Sequence, residues 1–412
     1  MNEKDYMNLL KKDIEIPDTV WDKVQGAFSQ IKMEASADKQ RKTDFVSGSR
    51  KQTGWIKRYS QKKLVLVAAA VFAMSAITVA ANAYREWSRS LEKELAVTEA
   101  QKRKLEIDGV ADMPNQAVTN EGVTVTLQQS IIDSYNGYLS FKVEGFELPE
   151  GAQPGIEFTT VLINEQIVSL GSTFYNGIVA EADGTVVYDD GTSLEQDENG
   201  NTVLHYIQED GSLELRVNLQ MDGSGQNLVD KPIHVLLKNL GIYQEGDQGG
   251  FERMVEGSWS FDWTLSGSDV STKYELDESL GDTGVTVTSV EISPITLKVL
   301  YDAPRQIIQK EAVNEDSGEA VMTDVFVEPP QPIGVRLKDG TLLTGIFIGS
   351  SQAGYLNETE DTYYTLVGSG KILDVEEIDA VLFVKTYPEK EGEAFTEDDL
   401  YMVSLGNVKE ES

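Results

Sequence analysis

Cysteine is absent from this 412-residue chain, and histidine occurs only twice, as His205 and His234. The first absence excludes disulfides, a thiol nucleophile, an iron–sulfur cluster and Cys-ligated zinc. The second leaves almost nothing for imidazole chemistry. Positive charge is also scarce: 35 Lys+Arg face 69 Asp+Glu, and the net of −34 repels nucleic acid unless the charge is segregated. No Gly-rich phosphate loop follows a strand and opens a helix, and neither histidine has a Ser or Cys motif beside it to build a triad. The acidic run Asp189 to Asn201 has Asp197, Asn199 and Asn201 at alternate positions. It fails as a calcium loop, because its glycine is Gly200 and Gln208 stands where the bidentate Glu belongs. A hairpin turn is the expectation there. The chain is therefore expected to be no enzyme and to use no cofactor or metal.

What is present is a segregated charge pattern. Residues 1–63 hold 14 basic and 9 acidic side chains, a net of +5, and residues 64–83 carry none. Residues 84–107 net +1 and residues 108–412 net −40. The uncharged stretch Leu64–Ala83 is 20 residues, about 30 Å as a helix, which matches a bilayer core. Arg50, Lys51, Lys57, Arg58, Lys62 and Lys63 crowd its N-terminal side. The positive-inside rule then predicts a single-pass protein of the cell membrane, with residues 1–63 cytoplasmic and 84–412 outside. The alternatives are a buried core helix, or a signal peptide cleaved after Ala81-Asn82-Ala83, whose leading region would be far too long.

The cytoplasmic piece is too small and polar for a large core. After Pro17, with Asp18 or Thr19 as N-cap, Val20, Val24, Phe28 and Ile31 fall on one helical stripe with Trp21 beside it. Such a helix can bind a protein partner, fold on its own short neighbour, or lie on the membrane. Its mixed-charge polar face argues against the last. Residues 37–63 read as a basic linker.

Beyond the span, Trp87, Leu91 and Leu95 recur at helical spacing, so 84–107 is expected as a helical stalk continuing the membrane helix. From Val118 the period becomes two, as in Val123-Thr-Val125-Thr-Leu127 and Trp259-Ser-Phe261-Asp-Trp263. Asp183-Gly184, Asp190-Gly191, Asn199-Gly200, Asp210-Gly211 and Asp339-Gly340 read as two-residue type I′ hairpins. Gly122-Val-Thr-Val-Thr126 returns 162 residues later as Gly284-Val-Thr-Val-Thr288, each copy followed by a second alternating strand. Two related β-sandwiches are expected, at 108–267 and 268–412, after a cytoplasmic helical region at 1–36.

This order of parts resembles a family of single-pass Gram-positive membrane proteins catalogued mainly as a domain of unknown function and regarded as anti-sigma-factor-like. The resemblance is carried by Ile16-Pro17-Asp18 with Val20, Val24 and Ile31, by the basic-flanked span, by Val118 to Val125, and by Gly257-Ser258-Trp259-Ser260-Phe261. It implies a multi-domain chain with immunoglobulin-like extracellular domains. It also implies that Val20, Trp21, Val24, Phe28 and Ile31 hold an extracytoplasmic-function sigma factor, linking an envelope ligand to transcription without direct nucleic-acid contact. The departure is the lack of any Cys or His in the first 200 residues, which separates the chain from zinc-binding anti-sigma domains. The competing expectation is a membrane-anchored surface-binding or adhesion module with no transcriptional partner.

Overall fold

The structure is a computed structural model. It describes residues 77–78 and 87–406, apart from 181–184, 222–226, 245–249, 314–319, 348–350, 358 and 389–393. The chain divides into two compact units, Met1–Val71 and Phe72–Ser412, and every described residue lies in the second. Val20, Trp21, Val24, Phe28, Ile31 and the basic linker fall outside the described residues.

The described residues are mostly strand. In chain order they run β1 (Ile77–Thr78), β2 (Ala111–Asp112), β3 (Gln116–Asn120), β4 (Val123–Ile132), β5 (Asn136–Glu144), β6 (Gln153–Ile163), β7 (Gln166–Ile167) and β8 (Ser169–Phe174). Then follow β9 (Ile178–Ala180), β10 (Val186–Tyr188), β11 (Leu213–Gln220), β12 (Pro232–Tyr243) and β13 (Phe251–Thr264). A second set runs β14 (Thr272–Ser279), β15 (Thr286–Ile292), β16 (Thr296–Asp302), β17 (Ile307–Val313), β18 (Ala320–Phe326) and β19 (Pro332–Leu337). It ends with β20 (Leu342–Thr344), β21 (Ser351–Tyr355), β22 (Thr362–Gly368), β23 (Ile378–Val384) and β24 (Leu400–Ser404).

Alternation explains the packing. On β4, Val123, Val125 and Leu127 turn inward while Thr124 and Thr126 stay half-buried. The sheet β3-β4-β5-β11-β8 faces the sheet β13-β12-β6-β7, and their inner side chains form one core. Trp259 is fully buried there and donates its indole N–H to the Val123 carbonyl at 3.1 Å. The second set repeats the plan strand for strand: β14-β15-β16-β22-β21 faces β24-β23-β19-β20 around a separate core. Beyond the shared strands, the first set carries β1, β2 and the β9–β10 pair with its loops, and the second carries the β17–β18 ribbon.

The structural repeat is 160 residues, not 162. The β4–β5 ladder breaks register between Leu127 and Gln129, and the β15–β16 ladder between Val287 and Ser289. The Asp133 amide bonds the Asn136 carbonyl, and the Ser293 amide bonds the Thr296 carbonyl. The sequence echo is thus two residues out of structural register. Because side chains repeat every two residues along a strand, an even slip keeps the same faces inward and leaves the pattern looking correct.

Two other expectations are corrected, the hairpin turns and the stalk. The Asp-Gly and Asn-Gly dipeptides at 190–191, 199–200, 210–211 and 339–340 do not make type I′ turns. Only the glycines are at positive φ, and each donates its N–H to the carbonyl three residues earlier: Tyr188, Asp197, Gln208 and Leu337. This is a type I turn closed by a left-handed glycine, and it needs one permissive residue instead of two. Within Leu64–Ala83 only Ile77–Thr78 is described, as a two-residue strand paired with Thr119 and Val118. Two β-branched residues beside the open edge of β3 suit extended pairing over a helical turn. Finally, the stalk is two short helices, α1 (Arg89–Glu94) and α2 (Glu99–Ile107), folded against the β structure. No described helix is long and apolar enough to cross a membrane.

Candidate functional site

The segment after Trp87 is where the described residues concentrate buried polar chemistry. Ser88 caps α1, its hydroxyl accepting the Leu91 amide at 3.2 Å. The helix stops because Ala96 is left-handed, with φ of 48°. The Val97 amide returns to the Glu92 carbonyl and the Ala96 amide to the Lys93 carbonyl, a Schellman closure built on alanine. Thr98 and Gln101 form a capping box that starts α2. Gly109, at φ of 73°, ends it, with Val110 bonding back to the Leu105 carbonyl. Helices this short are unstable alone, so tertiary contacts hold them.

On one side α1 covers the outer face of β11. Glu214 is 1% exposed there. Its carboxylate accepts from the Ser90 and Ser140 hydroxyls at 2.6 Å each, from the Gln208 amide at 2.9 Å, from the Ser90 backbone amide, and from the Ser88 hydroxyl. None of these donors is a cation. Beside it Arg216 pairs with Glu94, and burial pulls the Arg216 guanidinium down to about 10. Arg89 grips Asp189 with two bonds of 2.7 Å, and Tyr175 adds a third at 2.7 Å. That bidentate contact raises the Arg89 guanidinium above its ordinary value, while burial, followed by the bond to Asp189, raises the Tyr175 phenol.

On the other side the helices reach the second β set. Ile372 donates its amide to the Leu95 carbonyl at 3.1 Å, and Gln101 bonds both the Ile372 carbonyl and the Asp374 carboxylate. Leu91, Leu95, Val97, Leu105 and Val110 share a third core with Ile131 and Tyr138 of the first set and Ile295 and Ile372 of the second. Three fully buried leucines contribute roughly 5–9 kcal/mol, comparable to the whole stability of many domains. This helical clasp is therefore a major energetic tie.

Under the clasp the two β sets meet turn to turn. The Asn136 amide donates to the Thr296 hydroxyl at 2.8 Å, the Ser293 hydroxyl donates to Asp133, and the Tyr135 hydroxyl donates to Glu291 at 3.1 Å. Asp133 and Asn136 are each 160 residues from their partners, so each of these two positions meets its own counterpart. Burial pushes the Asp133 carboxyl above its usual range, against the opposing pull of its hydrogen bonds. The Lys298 ammonium lies 4.6 Å from the centre of the Tyr135 ring.

The histidines do no more than the sequence allows: His205 stacks on Tyr188 at 4.4 Å, and His234 pairs with Asp262 on the surface. Asp197 holds its own turn through the Asn199 and Asn201 amides. Among the described residues no group of acidic and histidine side chains could hold a metal. Ser88, Ser90, Ser140 and Glu214 are not marked in the sequence, and Asp189 is marked only as the start of the acidic run. Glu214 sits in Leu-Glu-Leu-Arg, which reads as a strand with Glu in solvent; only the helix laid over it makes it buried.

A family model described as a domain of unknown function (DUF4179) matches residues 56–145. That match runs from the basic flank through the clasp to the end of β5. No curated protein matches the chain. One solved structure, the crystal structure of the conserved domain protein from Bacillus anthracis, is similar over 73% of this chain and 95% of its own, at 12% identity and a TM-score of 0.33. A likeness that weak carries no argument about this fold.

Proposed function

We propose that the chain is a membrane-anchored, anti-sigma-factor-like regulator. Residues 1–63 face the cytoplasm, Leu64–Ala83 anchors the chain in the cell membrane, and two immunoglobulin-like sandwiches at 108–267 and 268–412 sense the envelope outside. The observation that carries this reading is the clasp. The segment directly following the apolar stretch is tied through buried polar bonds to both β sets, so a ligand or load that shifts one set against the other acts on the residues leading to the anchor. A plain surface tether has no need of such a connection. In the cytoplasm, Val20, Trp21, Val24, Phe28 and Ile31 are proposed to lie in a groove of an extracytoplasmic-function sigma factor, where a few large apolar side chains carry most of the affinity.

The test is co-purification of the full-length protein with sigma factors from solubilised membranes. Trp21→Ala or Phe28→Ala is expected to weaken recovery at least about tenfold and to raise the sigma factor's transcriptional output, while Lys32→Ala changes little. Recovery of no sigma factor, with unchanged transcription in a deletion strain, would replace this reading by the surface-binding module.

A further inference from the structure

The first β set contains an open cavity of about 110 Å³ at the corner where β6 and β8 adjoin. We infer that this cavity is a binding site for a small, uncharged, hydroxyl-rich ring, the chemistry of a single pyranose sugar unit.

The corner is left open by topology. Strand β8 ends its sheet, and β7 covers β6 only at Leu162 and Ile163, so the two edges face each other without a ladder. Ile156, Phe174 and Leu215 form an apolar floor that is part of the core. The rim is polar and neutral: Gln153, Ser172, Thr173, Tyr206 and Tyr243. Among the described residues, the Tyr206 and Tyr243 hydroxyls and the Gln153 amide make no hydrogen bond within the protein. Tyr206 is only 8% exposed, and its hydroxyl opens at the cavity rim, where a ligand hydroxyl would take the place of water. Tyr243 is 47% exposed, yet held in place. It lies over Gly155, where a Cβ would come within 2.6 Å of its ring, and Phe251 meets it edge-on at 5.7 Å. The platform exists because residue 155 has no side chain.

Size and charge select the ligand class. A cavity of about 150 Å³ takes a whole benzene ring, so this smaller space, open at its mouth, seats one edge of a six-membered ring and leaves the rest of the ring in solvent. Drug-sized ligands need about 300 Å³ or more. Among the described residues no charged side chain lines the cavity, although the surrounding region is strongly acidic, so neither an anion nor a cation is selected. An added peptide strand is also excluded. The Thr159 hydroxyl donates to the Ser172 hydroxyl at 3.4 Å, so side chains already close the seam where an inserted strand would have to run. A pyranose offers a C–H face for the tyrosine ring and the floor, with hydroxyls at its edge for the rim. Tyr206 arises from the addition between β8 and β11, which the second set lacks, so the site occurs on one set alone.

The inference stands whether or not residues 1–63 bind a partner. It is tested by saturation-transfer difference NMR on the full chain in lipid nanodiscs, with methyl β-glucopyranoside and methyl N-acetyl-β-glucosaminide as probes and trialanine as the peptide control. Transfer to the sugar ring protons at millimolar concentration is expected, with none to trialanine. Tyr243→Ala and the exposed Gln153→Ala should each weaken it at least about tenfold, with circular dichroism unchanged. Gly155→Ala should do the same by displacing the Tyr243 ring, while Tyr387→Ala on the second set should have no effect. Absence of transfer from both sugars, transfer insensitive to all three cavity variants, or equal transfer to trialanine would overturn it.

Discussion

Two buried carboxylates, Glu214 and Asp133, show how one residue type serves opposite ends according to its neighbours. Glu214 is surrounded by donors on every side and ties a helix down. Asp133 sits fully buried where the two turns meet, and desolvation outweighs its hydrogen bonds and raises its pKa. A carboxyl raised above its unfolded value of about 3.9 binds its proton more tightly when folded, so its stabilising contribution is present below that value and is lost as pH rises through the folded one. Near neutrality the buried charge is a cost. Asp133→Asn keeps the shape and removes the titration. The wild-type protein is therefore expected to lose stability against this variant as pH rises from about 4 to 7, measured as thermal midpoints across a buffer series. A wild-type-to-variant difference that does not move with pH would refute this.

At the scale of elements, the break between α1 and α2 was the least legible feature. The segment Trp87-x-x-x-Leu91-x-x-x-Leu95 has no Gly or Pro, and its spacing predicts a continuous helix. The chain turns left-handed on Ala96, which sequence does not flag because alanine is the best helix former. The strain is measurable: a left-handed L-residue costs about 1–2 kcal/mol that glycine avoids. Ala96→Gly is therefore expected to stabilise the protein by about 1 kcal/mol after glycine's greater unfolded-state freedom is deducted, seen as a higher urea midpoint. A lower midpoint would mean that Ala96 makes a packing contribution exceeding its strain. The strands were easier to read, because alternation of Val and Thr against a core is a local property. The Glu214 site was not legible, since its burial depends on a helix 120 or so residues away in sequence, and no short window contains both partners.

At the scale of the whole molecule, one tension is open to direct test. Ile77 and Thr78 pair with β3, yet they also lie inside the stretch proposed to cross the bilayer, and the same two residues cannot do both. Because the chain has no cysteine, single substitutions report accessibility cleanly. In intact wall-less cells a membrane-impermeant maleimide is expected to label Tyr387→Cys and to spare Ser47→Cys and Ile77→Cys. Labelling at 77 would mean that edge pairing, not lipid, holds this segment; labelling at 47 would reverse the topology.

The turn-to-turn contact has a further consequence. A surface on which Asp133 meets Ser293 and Asn136 meets Thr296, each opposite its own counterpart, is an isologous interface of the kind that joins two-fold homodimers, closed here within one polypeptide. A true homodimer must place the same residue on both sides, so an aspartate there would confront an aspartate, and two buried like charges repel. Covalent fusion lifts that constraint. A carboxylate can face a hydroxyl, and a single asymmetric feature, the clasp, can lie across the axis where a symmetric pair would need two. The assembly is also independent of concentration, so the paired state persists however sparsely the molecule is expressed.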